Sequence, residues 1–438
     1  MGTGFARLPP TERWVIVDAR VPACLLDQAS GFAVDEDGLA SATIIVDGDR
    51  IEAVAPPDDV SGIDFVDMKG GLVFPTFVEL HTHLDKGHIW PRRRNPDGTF
   101  FGALNNVSLD RDRHWSAADV AARMDFALRC AFAHGTSAIR THLDSQGKQI
   151  GISWPVFAEM REAWRGRIDL QAVALFSIEL VPDKAHMSAV RAAVVEHGGV
   201  MGGVTYMVPE LDHSLDVLFG LAAEEGLDLD FHVDETQDPQ ARSLRHIAEA
   251  ALRARFSGQV TVGHCCSLAR QEAEDARATI DKVAEAGIAV VSLPMCNMYL
   301  QDRVPGRTPR SRGVTLLHEL KAAGVEVCVS SDNTRDPFYA YGDLDALEVF
   351  CEATRIAHLD HPFGDWPAAI ARTPAKVMGV EAGTIRAGGP ADLVLFKARS
   401  LNELLSRPQS ERTVIRAGQA IDTELPDYRE LDQVLRPR

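Results

Sequence analysis

The 438 residues carry 45 Lys+Arg against 63 Asp+Glu, a formal charge of −18, and 45% of them are hydrophobic. So acidic a chain lacks the basic face needed to bind a nucleic-acid backbone or an anionic membrane surface, and so apolar a chain is not disordered. No stretch approaches the ~20 consecutive apolar residues of a membrane span. The opening Met1–Glu12 has no apolar run of signal-peptide length, and Ala6 stands where a myristoylation signal would want Ser or Thr. Seven cysteines (24, 130, 265, 266, 296, 328, 351), an odd number in apolar surroundings, are expected as reduced thiols of a cytoplasmic protein.

In chain order, residues 1–70 hold short β-rich runs, Trp14–Asp18, Ala42–Val46 and Ile51–Val54, separated by Gly, Asp and Pro. The middle then alternates. Strands are predicted at Leu72–His81, Ser137–His142, Leu170–Phe176, Val200–Tyr206, Leu227–His232, Val260–His264, Ile288–Leu293 and Val325–Ser331. Helical periodicity fills most gaps, over Ala117–Ala133, Val156–Trp164, Ser214–Glu225, Ser243–Phe256 and Arg270–Ala286. Leu84–Trp115 is long for a strand-to-helix connection; it is expected as a solvated surface loop, with Pro91–Pro96 as an alternative lid or oligomer contact. The end of the chain returns to β-rich runs, Asp392–Phe396 and Thr413–Arg416.

Eight buried-type strands alternating with helices predict an α/β chain with a (β/α)8 TIM barrel over 71–380. The segments 1–70 and 381–438 are expected to pair into a small β-sandwich. An open doubly wound sheet is the competing architecture, but no glycine-rich dinucleotide fingerprint follows any strand.

In such a barrel the active site lies at the C-terminal strand ends. Those ends read His81-Thr82-His83, His232-Val233-Asp234-Glu235, His264 and Ser331-Asp332-Asn333. Four histidines and a carboxylate converging on one mouth suit a divalent transition ion. Residues i and i+2 of a strand share a face, so His81 and His83 can address one ion. Neither HExxH nor paired CxxC occurs, so separate strands must supply the ligands.

The run Phe74-Pro75-Thr76-Phe77-Val78-Glu79-Leu80-His81-Thr82-His83 resembles the PGFVDxHxH signature of the amidohydrolase superfamily. Further segments are similar to its cytosine deaminase-like branch: Arg140–Asp144, His232–Glu235, Leu300–Arg303, Arg312-Gly313 and Ser331–Phe338. The tail from Ala382 to Val394 is similar to the superfamily's returning β segment, so the likeness runs from about Trp14 to Ile421. It implies one Zn²⁺ or Fe²⁺ held by His81, His83, His232 and Asp332, with a position left for water. The fourth predicted strand ends in Gly203–Met207 without lysine, so the carbamylated-lysine bridge of binuclear relatives has no counterpart.

A bound divalent ion brings the pKa of its water from roughly 15.7 toward about 7. The resemblance then implies that Asp332 receives the water's proton and His264 orients the hydroxide. Glu235 would protonate a ring nitrogen of the substrate and later the leaving amine. The expected reaction is hydrolytic deamination at an amidine-type carbon of a small amino-heterocycle, with ammonia released. Hydrolysis of a cyclic or N-alkyl amide at the same site, and an inactive barrel kept for binding or assembly, are the alternatives. The expected partners are the substrate and further copies of the chain, in a homo-oligomer.

The substrate contacts implied by the family fall on Ser177, where cytosine deaminases carry a glutamine that reads the pyrimidine amide edge, and on Asn333 and Phe338, which replace an aspartate and a tryptophan wall. Exchanging Asp for Asn removes an acceptor charge and adds donors. These differences disfavour cytosine and admit isocytosine-, creatinine-, pterin- or triazine-like rings. His142 and Asp144 are expected to support the site by hydrogen bonding. His88, His114 and His134 are expected at the surface, and Cys296 and Met298 as packing or pocket wall.

Overall fold

The computed structural model describes residues 4–57, 61–407 and 411–436; Met1–Thr3 of the opening segment lie outside the described residues. The β-branched runs of the N-terminal part form β1 (Arg13–Pro22), β2 (Leu39–Asp47) and β3 (Arg50–Ala55), followed by the short β4 (Phe65–Asp67) and β5 (Leu72–Pro75). β1 and β2 pair antiparallel with Val15 opposite Ile45 and Ile16 opposite Ile44, the pairing that lets β-branched side chains pack across strands.

The predicted strand Leu72–His81 divides at Thr76. Leu72–Pro75 joins the sheet of the terminal segments, and a new strand, β6 (Phe77–Thr82), begins a different one. Successive amides turn to different partners here: Thr76 donates to Asp392 O at 3.1 Å and Phe77 to Gly135 O at 3.0 Å. Pro75, without an N–H, ends the first pairing. The first residues of the segment 71–380 are therefore part of the terminal sheet.

From β6 as far as Val329 the strands run parallel, each pairing with its sequence neighbours within its sheet. These are β7 (Thr136–Asp144), β8 (Asp169–Leu175), β9 (Met201–Thr205), β10 (Leu229–Val233), β11 (Val260–His264), β12 (Ala289–Ser292) and β13 (Val327–Val329). β6–β8 form one sheet and β9–β13 another. Parallel bridges Val173–Val200 and Ser177–Val204 link β8 to β9, and Thr82–Asp332 links β6 to the residues after β13. Several strands are buried along their whole length, as parallel strands covered by helices must be. The predicted helix Ala117–Ala133 forms with the same limits, capped by Ser116, whose side chain accepts from Asp119 N.

The C-terminal part supplies β14 (Leu393–Phe396), β15 (Arg412–Arg416) and β16 (Gln419–Ala420). β14 pairs antiparallel with β5, so both ends of the chain build one eight-stranded sheet. The last residues leave it: Leu431 and Leu435 pack against Phe126 and Cys130, so 381–438 is not wholly part of the terminal sheet.

The segment 84–115 differs most from expectation. It folds inward and contains a helix, Phe100–His114, capped by Thr99. Arg92 is buried between Asp110 and Asp119. Asp85, Lys86 and His88 are buried as well, as is His134, whereas His114 is exposed as expected. Burial of charge is tolerated because each cation meets a carboxylate. All seven cysteines are free thiols. Among the described residues no helix is long and apolar enough to cross a membrane.

Candidate active site

The strand-end histidines meet. His81 Nε2 lies 3.1 Å from His232 Nε2, which lies 3.2 Å from His83 Nε2. Asp332 Oδ1 lies 3.1 Å from His83 Nε2 and 3.7 Å from His81 Nε2. Two imidazole nitrogens at such distances share a proton or a cation; burial holds all three rings well below the ordinary histidine pKa, so they are neutral at pH 7 with lone pairs available. Neither oxygen of the buried Asp332 has a hydrogen-bond partner. Three neutral nitrogens and one carboxylate facing a common point form a donor set that fits a divalent metal ion.

Local sequence explains the placement. Alternation along β6 turns Glu79, His81 and His83 to one side. Glu79 accepts from Ser331 N, from Ser331 Oγ at 2.6 Å and from His81 N, tying β6 to the turn that carries Asp332. His83 Nδ1 lies 3.2 Å from His142 O, so its proton sits on Nδ1 and Nε2 is left as the donor toward a metal. Gly263 precedes His264 because a Cβ there would stand 2.7 Å from His81 Cε1. His264 and Asp332 both adopt left-handed backbone angles (φ 69° and 64°); Asp332 is held there by donating its N–H to His81 O at 2.9 Å.

Glu235 and His264 stand beside the cluster. Asp234 turns the other way and caps the helix Ser243–Ala254 by accepting from Ser243 N and Leu244 N, which leaves Glu235 facing the mouth. His264 Nδ1 is 3.6 Å from Glu235 Oε1. Asn297, on the short helix Pro294–Leu300, donates to His264 Nδ1 at 2.9 Å and to Glu235 Oε1 at 3.4 Å. His264 therefore carries its proton on Nε2, an atom with no other partner. Burial, and then the neighbouring Asp332, pushes the Glu235 carboxyl well above the usual carboxylate range. The structure thus brings His81, His83, His232, His264, Glu235 and Asp332 together.

The expected substrate contacts divide. Phe338 packs edge-on to Phe100 at 5.5 Å and lies under the Lys86 ammonium. Asn333 donates to Asp336 Oδ2 at 2.6 Å and receives the Cys296 thiol at 3.7 Å. Ser177 sits with Tyr206, 2.6 Å from its hydroxyl, and caps the turn that follows β8. None of its hydrogen bonds reaches the histidine cluster.

Several supporting residues were not singled out from sequence. Lys86 is buried 3.1 Å from Asp144, which also accepts from Arg111 at 2.9 Å. Gln301 donates to Glu235 O at 3.1 Å, an approach kept open by Gly313, where a Cβ would come within 2.6 Å of Gln301 Cβ. Lys86 lies three residues after His83 and Gln301 lies within Leu300–Arg303, so adjacency was the available signal. Asn297 offered none. His142 lies tilted against His81, with ring centroids 4.0 Å apart and planes at 34°, and its Nε2 is 3.9 Å from Asp230 Oδ1.

Residues 129–422 match the family model described as "Amidohydrolase family", and the chain belongs to that family. It is 56% identical over 437 residues to a pterin deaminase of Rhizobium rhizogenes, covering 99% of this chain and 100% of that protein. An N-isopropylammelide isopropyl amidohydrolase of a Pseudomonas species is 25% identical, over 90% of this chain and 96% of the relative. The solved 5-methylcytosine deaminase of Klebsiella pneumoniae, bound to 5-fluorocytosine, superposes with a TM-score of 0.80 at 26% identity, covering 93% of this chain and 97% of that one.

Proposed function

We propose that the chain is a mononuclear metal-dependent hydrolase that deaminates a pterin. The observation that carries the reading is the meeting of His81, His83, His232 and Asp332 beside Glu235, in a chain that matches a pterin deaminase along its whole length. Eight parallel strands bridged at both sheet edges support a closed (β/α)8 barrel as the catalytic unit within 71–380. The segments 1–70 and 381–438 would supply the supporting β unit, through β1–β4 and β14–β16 together with Leu72–Pro75.

His81, His83, His232 and Asp332 would hold the ion, Zn²⁺ or Fe²⁺; when bound, it supplies an activated water at neutral pH. Asp332 would be the proton acceptor for the attacking water, on the oxygen turned away from the histidines. His264, its tautomer set by Asn297, would donate from Nε2 and orient that water. Glu235, favoured in its protonated form by burial, gives a proton to the ring nitrogen beside the attacked carbon and then assists departure of ammonia. The 2-amino carbon of a pterin, flanked by two ring nitrogens, is of the amidine type this arrangement addresses. Phe338 and the Lys86 ammonium would wall the ring, with Asn333 and Asp336 beside them, and Ser177 with Tyr206 would border the outer mouth.

Incubation of metal-loaded enzyme with pterin should release one ammonia per 2-oxo product, and Glu235→Gln should abolish this. The same site acting on an N-alkylated ring would release alkylamine instead. Absence of ammonia with pterin, alongside alkylamine from N-alkyl aminotriazines, would replace the pterin reading.

A further inference from the structure

Between the general acid and the last of the four ligands lies a thiol that the deamination does not use. Cys296 is fully buried on the helix Pro294–Leu300. Its sulfur, a Glu235 oxygen and an Asp332 oxygen lie within 4.8 Å of one another. The thiol faces the Asp332 carboxyl, and its other acceptors are distant, Asn333 Oδ1 at 3.7 Å and Phe338 O at 3.9 Å. Asp332 is 1% exposed and neither of its oxygens has a hydrogen-bond partner. Oδ1 is the oxygen that faces His81 and His83. Oδ2, the oxygen to which the proposed mechanism gives the water's proton, is buried and has no hydrogen-bond partner, so an ion held there competes with that role.

We propose that Cys296, Glu235 and Asp332 form a second, inhibitory site for a soft divalent ion such as Zn²⁺ or Cd²⁺, with Asp332 bridging it to the first. One thiolate and two carboxylates favour these ions over Mg²⁺ or Ca²⁺. A bridging carboxylate suits the spacing of roughly 3.5–4 Å found in two-metal sites. On binding, the S–H proton of Cys296 and any proton on Glu235 pass to solvent as the metal bonds form, with no change of oxidation state. The site takes no residue from β9, so it differs from a lysine-bridged binuclear centre. Filling it removes Glu235 from proton transfer, so the ion that activates the enzyme at one equivalent stops it in excess.

Enzyme carrying one Zn²⁺ per chain is titrated with Cd²⁺, following bound metal and the ultraviolet cadmium–thiolate charge-transfer absorbance. The wild type should take up one further ion and gain absorbance equal to one thiolate. Cys296→Ser should lose both. Glu235→Gln should weaken uptake by about tenfold or more and leave unaltered any signal from the partly exposed Cys24. With excess zinc, the concentration that halves ammonia release should rise by at least about tenfold in Cys296→Ser, relative to that variant's own rate without added zinc. Equal zinc sensitivity of variant and wild type overturns the proposal. If Cys296→Ser does not fold, the wild type decides: no thiolate absorbance on adding Cd²⁺, or absorbance indifferent to Glu235→Gln, overturns it. The metal titration stands apart from the substrate reading, which fails separately if pterin yields no ammonia.

Discussion

Gly263→Ala tests whether His81 must occupy its observed position. The added Cβ would stand 2.7 Å from His81 Cε1 and 3.0 Å from Nδ1, where ordinary contact begins at 3.4 Å, so the ring must retreat by about 0.7 Å. It has little room, being fully buried with the tilted rings of His142 and His232 at centroid distances of 4.0 and 4.4 Å. Overpacking of this kind costs about 1–3 kcal/mol of stability. A displacement approaching 1 Å at a reacting centre costs about 100-fold in rate. The variant should fold, hold its metal about 10–100-fold less tightly and lose about 100-fold in kcat/KM. The assay is metal retention against a graded chelator, followed by turnover at saturating metal. A variant that keeps wild-type metal affinity and turnover would refute the claim that His81 is a ligand held in place by this glycine.

Glu235→Gln should lower kcat by about 10²–10⁴-fold while metal content stays near one ion per chain; unchanged turnover would remove Glu235 from the proton path. Asn297→Asp replaces the amide that donates to His264 Nδ1 with an acceptor, which moves the ring proton off Nε2; kcat should fall by at least about tenfold with KM and metal content little altered, and a change confined to KM would contradict the tautomer argument. Asp345 is buried, which raises its pKa, but Arg412 and then His134 more than offset this and hold it at about 2. A depressed carboxylate contributes stability above its unfolded pKa and loses it as pH falls through the folded value. This pair should therefore contribute about 2 kcal/mol above pH ~4, lost toward pH ~2. Denaturant unfolding of Asp345→Asn, which keeps the helix cap to Leu347 N, should show reduced stability at neutral pH and a shallower decline over that acid range. A parallel decline in both proteins would show that the pair carries no such stability.

The parts of the site that could be read in advance are those written in strand periodicity. His81 and His83 alternate at the end of an apolar run, and His232, His264 and Asp332 end others, so the parallel-sheet rule alone gathers them. The division at Thr76 was hidden because Leu72–Leu80 is almost uniformly apolar; only hydrogen bonds to two different sheets separate β5 from β6. The burial of Asp85, Lys86 and Arg92 was hidden for another reason. Charged residues after a strand read as a solvated loop until their partners, Asp144 for Lys86 and Asp110 with Asp119 for Arg92, are brought up from residues 18 to 58 positions away. Ser177 stands at the family's glutamine position after the third predicted strand, but its hydroxyl engages Tyr206 from the neighbouring strand end, a pairing that no local pattern encodes. Asn297 fixes the His264 tautomer from a helix with no period or motif to mark it.

The proposed function requires that an ion held by His81, His83, His232 and Asp332 drive hydrolytic deamination of a pterin. Metal-free enzyme, prepared by chelation, is reloaded stepwise with Zn²⁺ or Fe²⁺ while ammonia released from pterin is measured against bound metal. Activity should rise in proportion to occupancy and peak at one ion per chain. Pterin turnover that is the same with and without metal, or no ammonia at full occupancy, would contradict the account.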